Sequence, residues 1–158
     1  QEYLQNVLNT DKKLDTYDSG RIYYYLGDYQ KAYLALEEAK GKGGVDSYLY
    51  LGKAYAATGD YNYASSVYSD YLSKQGPDAE IYNQLGLCEL EKKDYQKALE
   101  AFQAGKQIEG NSLMQTLSFN EIVAYEYLQD YQKAAVLLKA YLQNYQTAIR
   151  EQQFLSTR

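Results

Sequence analysis

Apolar residues recur along this chain every three or four positions, and turn residues interrupt them at a regular interval. Tyr48, Leu51, Gly52 and Tyr55 share one face of a predicted helix. Gly59-Asp60 breaks that helix, and Ala64 and Tyr68 continue on the inner face of a second one. Tyr82, Leu85 and Gly86, then Asp94-Tyr95, then Ala98 and Phe102 repeat the order. The dipeptide Asp-Tyr itself returns at Asp28-Tyr29, Asp60-Tyr61, Asp94-Tyr95 and Asp130-Tyr131, at spacings of 32, 34 and 36 residues. An Ala comes three residues after each Tyr (Ala32, Ala64, Ala98, Ala134), and a large apolar residue four after that (Leu36, Tyr68, Phe102, Leu138). A repeat of this length predicts one helix pair stacked several times. The result is an all-α solenoid whose units bury their apolar faces only against neighbours.

Turn chemistry fits the same unit. Gly59 can take the left-handed conformation that ends a helix, and Asp60 is expected to cap the next by accepting from its free amides. Asp28, Asp94 and Asp130 repeat the cap, whereas Lys93 and Gln129 stand in place of the glycine and make those two turns less favourable. The small residues Gly52, Ala64 and Ala98 are expected at tight helix crossings. Gly41, Gly43 and Gly44, then Gly76-Pro77, then Gly110-Asn111 mark loops between units. Tyr3, Leu4, Val7 and Leu8 have helical spacing and read as the end of a preceding helix. Residues 147–158, with Ala148, Ile149, Phe154 and Leu155, read as a final helix that covers the last unit.

The runs Tyr48-x-x-Leu51-Gly52-x-x-Tyr55 and Tyr82-x-x-Leu85-Gly86, with the Asp-Tyr, Ala and aromatic positions that follow, resemble the tetratricopeptide repeat. That resemblance implies a right-handed α-α superhelix in one domain. Its units would lie at about 13–44, 45–78, 79–114 and 115–146, flanked by 1–10 and a capping helix over 147–158. The outer units depart from the signature. Unit one has Thr16 and Ser19 at the aromatic and Leu positions, and unit four has Ser118, Glu121 and Ile122 where the aromatic, Leu and Gly belong. Only Pro77 represents the terminal proline.

Composition removes most chemistry. The net charge of −5 and the lack of any Lys/Arg stripe exclude a nucleic-acid partner. No apolar stretch approaches the roughly 20 residues of a membrane span. With no His and a single cysteine, Cys88, neither a His-based nucleophile pair nor a thiolate metal cluster can be assembled, and no cofactor or metal is implied. The run GKGG at 41–44 lacks the frame of a phosphate loop. The pairs Glu37-Glu38 and Glu89-Glu91 fall on repeating, solvated helix faces, so the chain is expected not to be an enzyme. Cys88 reads as a small buried filler.

The 21 tyrosines are the compositional anomaly. Tyr48, Tyr55, Tyr61, Tyr68, Tyr82, Tyr95 and Tyr131 hold signature positions, where the ring fills interhelix space and the hydroxyl is expected to reach the surface. Tyr17, Tyr24, Tyr25 and Tyr127 lie outside that set and are candidates for recognition.

In the family that the chain resembles, the first helix of each unit lines a concave groove. Carried over by register, that groove would present Tyr17, Arg21, Tyr24, Leu49, Lys53, Asn83, Leu87 and Phe119. The Lys/Asn constellation by which the family's chaperone-tail binders hold a carboxylate is reduced here to Arg21 and Lys53. The expected function is therefore a non-catalytic scaffold that binds a protein or peptide segment. Arg21 and Lys53 would hold an acidic group, and Tyr17, Tyr24 and Leu49 would supply apolar contact. The alternative is an assembly module, in which the groove or an open end meets another copy or another domain. The Tyr-rich, Arg-poor style and the start at Gln1 without Met resemble a bacterial cell-envelope lipoprotein whose leader has been removed, with a cytoplasmic location as the alternative.

Overall fold

The structure is a computed structural model that describes residues 1–10 and 14–156, with side chains described over 1–10 and 14–145. Among the described residues the chain is entirely helical. Helix α1 (Glu2–Thr10) precedes α2 (Thr16–Leu26) and α3 (Tyr29–Glu38). Then come α4 (Val45–Ala57) and α5 (Tyr61–Gln75), followed by α6 (Ala79–Glu91) and α7 (Tyr95–Lys106). Helices α8 (Met114–Tyr127) and α9 (Tyr131–Ser156) complete the stack. Each helix packs on its chain neighbours, and the first helices α2, α4 and α6 also touch in sequence. This is the superhelical stack that the repeat predicts.

The same turn joins the two helices of every unit. The amide of the Asp in each Asp-Tyr pair donates to a carbonyl five residues back: Asp28 to Tyr23, Asp60 to Tyr55, Asp94 to Glu89 and Asp130 to Tyr125, at 2.9–3.0 Å. The residue before the Asp is left-handed each time, with φ of 81° at Gly27, 83° at Gly59, 63° at Lys93 and 61° at Gln129. Asp28, Asp94 and Asp130 accept from the backbone amides of Lys31, Lys97 and Lys133, which fixes the start of the second helix. Asp60 does not cap α5 as expected. Its carboxylate accepts instead from the Thr58 hydroxyl at 2.9 Å, a partner that only this turn offers.

Close approach within a unit rests on a small residue facing a large one. A Cβ on Gly20, Gly52 or Gly86 would overlap Leu36, Tyr68 or Phe102 respectively, and these three partners are fully buried. Ala32, Ala64 and Ala98 are buried completely as well, so the expected tight crossings are present. Tyr68 departs from the expectation for signature tyrosines, because its hydroxyl is enclosed and has no hydrogen-bond partner. Tyr131 departs in the opposite sense and is 63% exposed, since no described element packs on that side of α9.

Unit four seats its second helix differently. Ile122 stands where the other units have glycine, and its side chain fills the space that Leu138 would need. Leu138 is 41% exposed, while α9 turns Ala134, Leu137 and Tyr141 inward. Glu121, in the Leu position, is buried and held by Lys106 and Gln103 of α7. The final helix expected over 147–158 is not a separate element. Helix α9 runs through to Ser156, because nothing in the stretch Asn144–Arg150 supplies a turn. The side chains by which that segment was expected to cover unit four lie outside the described ones.

Candidate functional site

The first helices α2, α4, α6 and α8 form one face, and every residue expected in the groove is on one of them. At the α2–α4 end the side chains converge. The Arg21 guanidinium lies 5.4 Å from the Tyr17 ring centre and 5.5 Å from that of Tyr50, and 3.7 Å from the Asp18 carboxylate. Tyr24 meets the rings of Tyr25, Tyr29 and Tyr50 edge-on at 5.5–5.7 Å. The hydroxyls of Tyr25 and Tyr50 share a hydrogen bond of 2.6 Å. Burial pushes the Tyr17 and Tyr24 phenols above their ordinary pKa, so both stay neutral and present apolar ring faces. Arg21 keeps one unused donor: its Nε is enclosed and has no hydrogen-bond partner.

Tyr17 is positioned from below by the loop between α3 and α4. Gly43 lies so close to the ring that a Cβ there would press on it. Tyr50 was absent from the residues expected in the groove, yet it is the ring on which Arg21, Tyr24 and Tyr25 meet. It occupies the sixth position of unit two, one of the positions that face ligands in the resembled family, so the register alone was a sufficient signal.

The remaining expected residues do not join this cluster. Leu49 is half-buried in the core of the first units. The Lys53 ammonium lies 4.0 Å from the Glu80 carboxylate, which also accepts from Gln84 at 2.9 Å. Asn83 is buried and accepts from the Asn120 amide at 2.8 Å, so these two residues tie α6 to α8. Leu87 is exposed without a polar neighbour in the cluster. Phe119 is half exposed and rests against Tyr141 of α9 at 5.8 Å. The structure thus places an aromatic and cationic patch at one end of the face, a salt-bridged middle and an amide pair beyond it. No described helix is long and apolar enough to cross a membrane.

The family profile described as "Tetratricopeptide repeat" matches residues 17–79 and 49–112. Among solved structures, "MamA 41-end from Desulfovibrio magneticus RS-1" superimposes with a TM-score of 0.75 at 19% identity, covering 92% of this chain and 84% of that one. "Crystal structure of MamA" gives 0.69 at 22% identity over 78% of this chain and 72% of the other. "Crystal structure of APC/C hetero-tetramer Cut9-Hcn1" gives 0.65 at 22% identity over 89% of this chain but 29% of the larger one. At such identities the likeness is one of fold. No curated protein matches the chain in sequence.

Proposed function

The chain belongs to the tetratricopeptide repeat family, and from that premise we propose that the face of α2 and α4 is a docking groove for a segment of another protein. Repeats of this family are protein-interaction scaffolds and are typically non-catalytic. The observation that carries the finer reading is the patch of Tyr17, Arg21, Tyr24 and Tyr50, half-buried side chains that converge where α2 lies beside α4. The segment would bring a carboxylate to the solvent-facing part of the Arg21 guanidinium, whose side chain is 42% exposed, with Lys53 reachable along the face once it exchanges Glu80 for the ligand. Tyr17, Tyr24 and Leu49 would supply contact area, and Leu87 and Phe119 the farther margin.

The test is a panel of peptides with acidic side chains or free C-terminal carboxylates against amidated, neutral counterparts. Arg21→Ala with Lys53→Ala should lower stability by no more than about 1 kcal/mol each, since the ion pairs lost are partly exposed ones. The same double variant should remove the preference for acidic peptides and its salt dependence. An unchanged preference would exclude this site.

A second reading, assembly, rests on a separate observation. Tyr131, Ala135, Leu138 and Leu142 form an exposed stripe along α9 at helical spacing. Light scattering across concentration decides it: a dimer that Leu138→Lys with Leu142→Lys disrupts would place association at this end of the stack.

A further inference from the structure

In three of the four units, the residue that closes the first helix is a tyrosine: Tyr23, Tyr55 and Tyr125, each accepting the same backbone hydrogen bond from the Asp five residues on. Tyr55 shows what the ring does there. It is stacked between Tyr33 of α3 and Tyr63 of α5, at 4.6 and 5.4 Å, and its hydroxyl donates to Glu37 at 2.8 Å. Tyr125 fills the equivalent place between α7 and α9, with its hydroxyl accepting from Gln103 and the Lys133 ammonium 5.3 Å from its ring centre. Lys31 lies likewise over Tyr23, at 5.6 Å.

Unit three alone lacks the ring. Glu89 stands in the tyrosine's place, and the residues of α5 that correspond to Tyr33 and Glu37 are Ser65 and Ser69. What remains is an open groove of about 640 Å³ between α5 and α7, floored by α6 and separate from the face described above. That volume lies within the range of ligand pockets. Its polar groups are incompletely used. Glu89, 5% exposed, spends one carboxylate oxygen on Lys92 at 3.1 Å, while Oε2 has no hydrogen-bond partner. The hydroxyl of Ser65, 6% exposed, has none either. Buried groups in this condition normally have a partner.

We infer that this outer groove receives a tyrosine side chain from a partner protein, inserted hydroxyl first. The phenol donates to Glu89 Oε2 and accepts from Ser65, which satisfies both orphaned groups. Its ring then lies against the small side chains of Ser69, Ala101 and Ala104, which line the groove. Lys97 corresponds in the repeat to Lys31 and Lys133 and lines the same groove, so it covers the incoming ring as those lysines cover Tyr23 and Tyr125. A cationic ligand is disfavoured because Lys92 already neutralises Glu89. An aliphatic one would leave both polar atoms unpaired.

The experiment titrates the intact chain with the peptide acetyl-Gly-Gly-Tyr-Gly-Gly-amide and its Phe counterpart, reading backbone amide shifts by NMR. The Tyr peptide should shift the amides of Ser65, Ser69, Glu89 and Ala101 saturably, and the Phe peptide should bind about tenfold more weakly because it leaves the polar pair unsatisfied. Glu89→Tyr restores the repeat's own ring and should abolish binding while raising the melting temperature. Ser65→Ala with Glu89→Gln keeps the groove open and should weaken the Tyr peptide to the level of the Phe peptide. Unmoved amides, equal binding of the two peptides, or a Glu89→Tyr chain that binds as the wild type does would each overturn the inference. So would binding of free p-cresol with no binding of the Tyr peptide.

Discussion

Gly52 of α4 faces the ring of Tyr68 of α5 with no room between them for a methyl group. The ring cannot retreat, because it is fully buried among the core residues of two units. Gly52→Ala should therefore destabilise the chain by about 1–3 kcal/mol through overpacking. A thermal melt beside that of the exposed-site control Ser66→Ala measures it. Equal melting temperatures would mean that α4 and α5 can separate at no cost.

Lys93 pays for a left-handed backbone that glycine adopts freely, with φ of 63° at the turn between α6 and α7. Lys93→Gly should raise stability by about 0.5–1 kcal/mol, and Gln129→Gly, at φ 61°, by a similar amount. The two turns belong to different units, so chemical denaturation of the double variant should show additive gains.

Asp70 links α5 to the loop that follows α3, reaching Lys40 of that loop at 3.1 Å and Lys74 of its own helix at 2.9 Å. Hydrogen bonds from Lys74 and then Lys40 hold its pKa below the ordinary carboxylate value. A depressed folded-state pKa gives stability that is present above the unfolded value and is lost as pH falls through the folded one. Asp70→Asn should thus cost up to about 1 kcal/mol at neutral pH, the range of partly exposed pairs. The difference from wild type should vanish as the carboxylate is protonated, which denaturation at pH 7 and in the acid limb will show.

The repeat and its turn chemistry were legible because they are local. The Asp-Tyr pairs, the glycine facing a large residue and the buried alanines all follow from spacing within one unit. What escaped depended mostly on neighbours in space, with one local exception. The Asp60 cap failed because Thr58, two residues away, competes for the carboxylate. The seating of α9 changed because Ile122 lies on a different helix from the Leu138 that it displaces. Of the expected groove residues, the helices that carry them were readable, but not that Asn83 would be used up by Asn120 or that Lys53 would meet Glu80. Tyr50 was within reach of the register, but its meeting with Arg21 and Tyr24 appears only when α2 is set beside α4.

Glu121 is 6% exposed in the position where the repeat has leucine, and Lys106 with Gln103 makes its burial tolerable. Lys106→Met should leave a buried carboxylate half-paired. The expected cost is about 1–3 kcal/mol, below that of a fully enclosed pair because Lys106 is itself 26% exposed. Glu121→Leu with Lys106→Met removes both charges and restores the leucine, so it should recover most of that loss or exceed wild type. Equilibrium unfolding of the two variants decides the point. A double variant no better than Lys106→Met alone would show that the pocket around Glu121 is shaped for a carboxylate and cannot accept leucine.

Tyr50 separates recognition from packing on the α2–α4 face. Its ring receives Arg21 and Tyr24, and its hydroxyl meets that of Tyr25 at 2.6 Å. Tyr50→Phe keeps the ring under Arg21 and Tyr24 and loses the hydroxyl with its contacts to Tyr25 and Arg21, so peptide affinity should change little. Tyr50→Ala leaves Arg21 without its second aromatic neighbour and opens the floor beneath Tyr24. If the patch recognises a protein segment, affinity for acidic peptides should then fall about tenfold or more, as truncation of an aromatic anchor does. The readout is the ratio of peptide affinities for the Phe and Ala variants, taken alongside their melting temperatures. A large loss of stability in Tyr50→Ala with unchanged affinity would assign this cluster to the stack alone, and the docking segment would have to be sought elsewhere on the molecule.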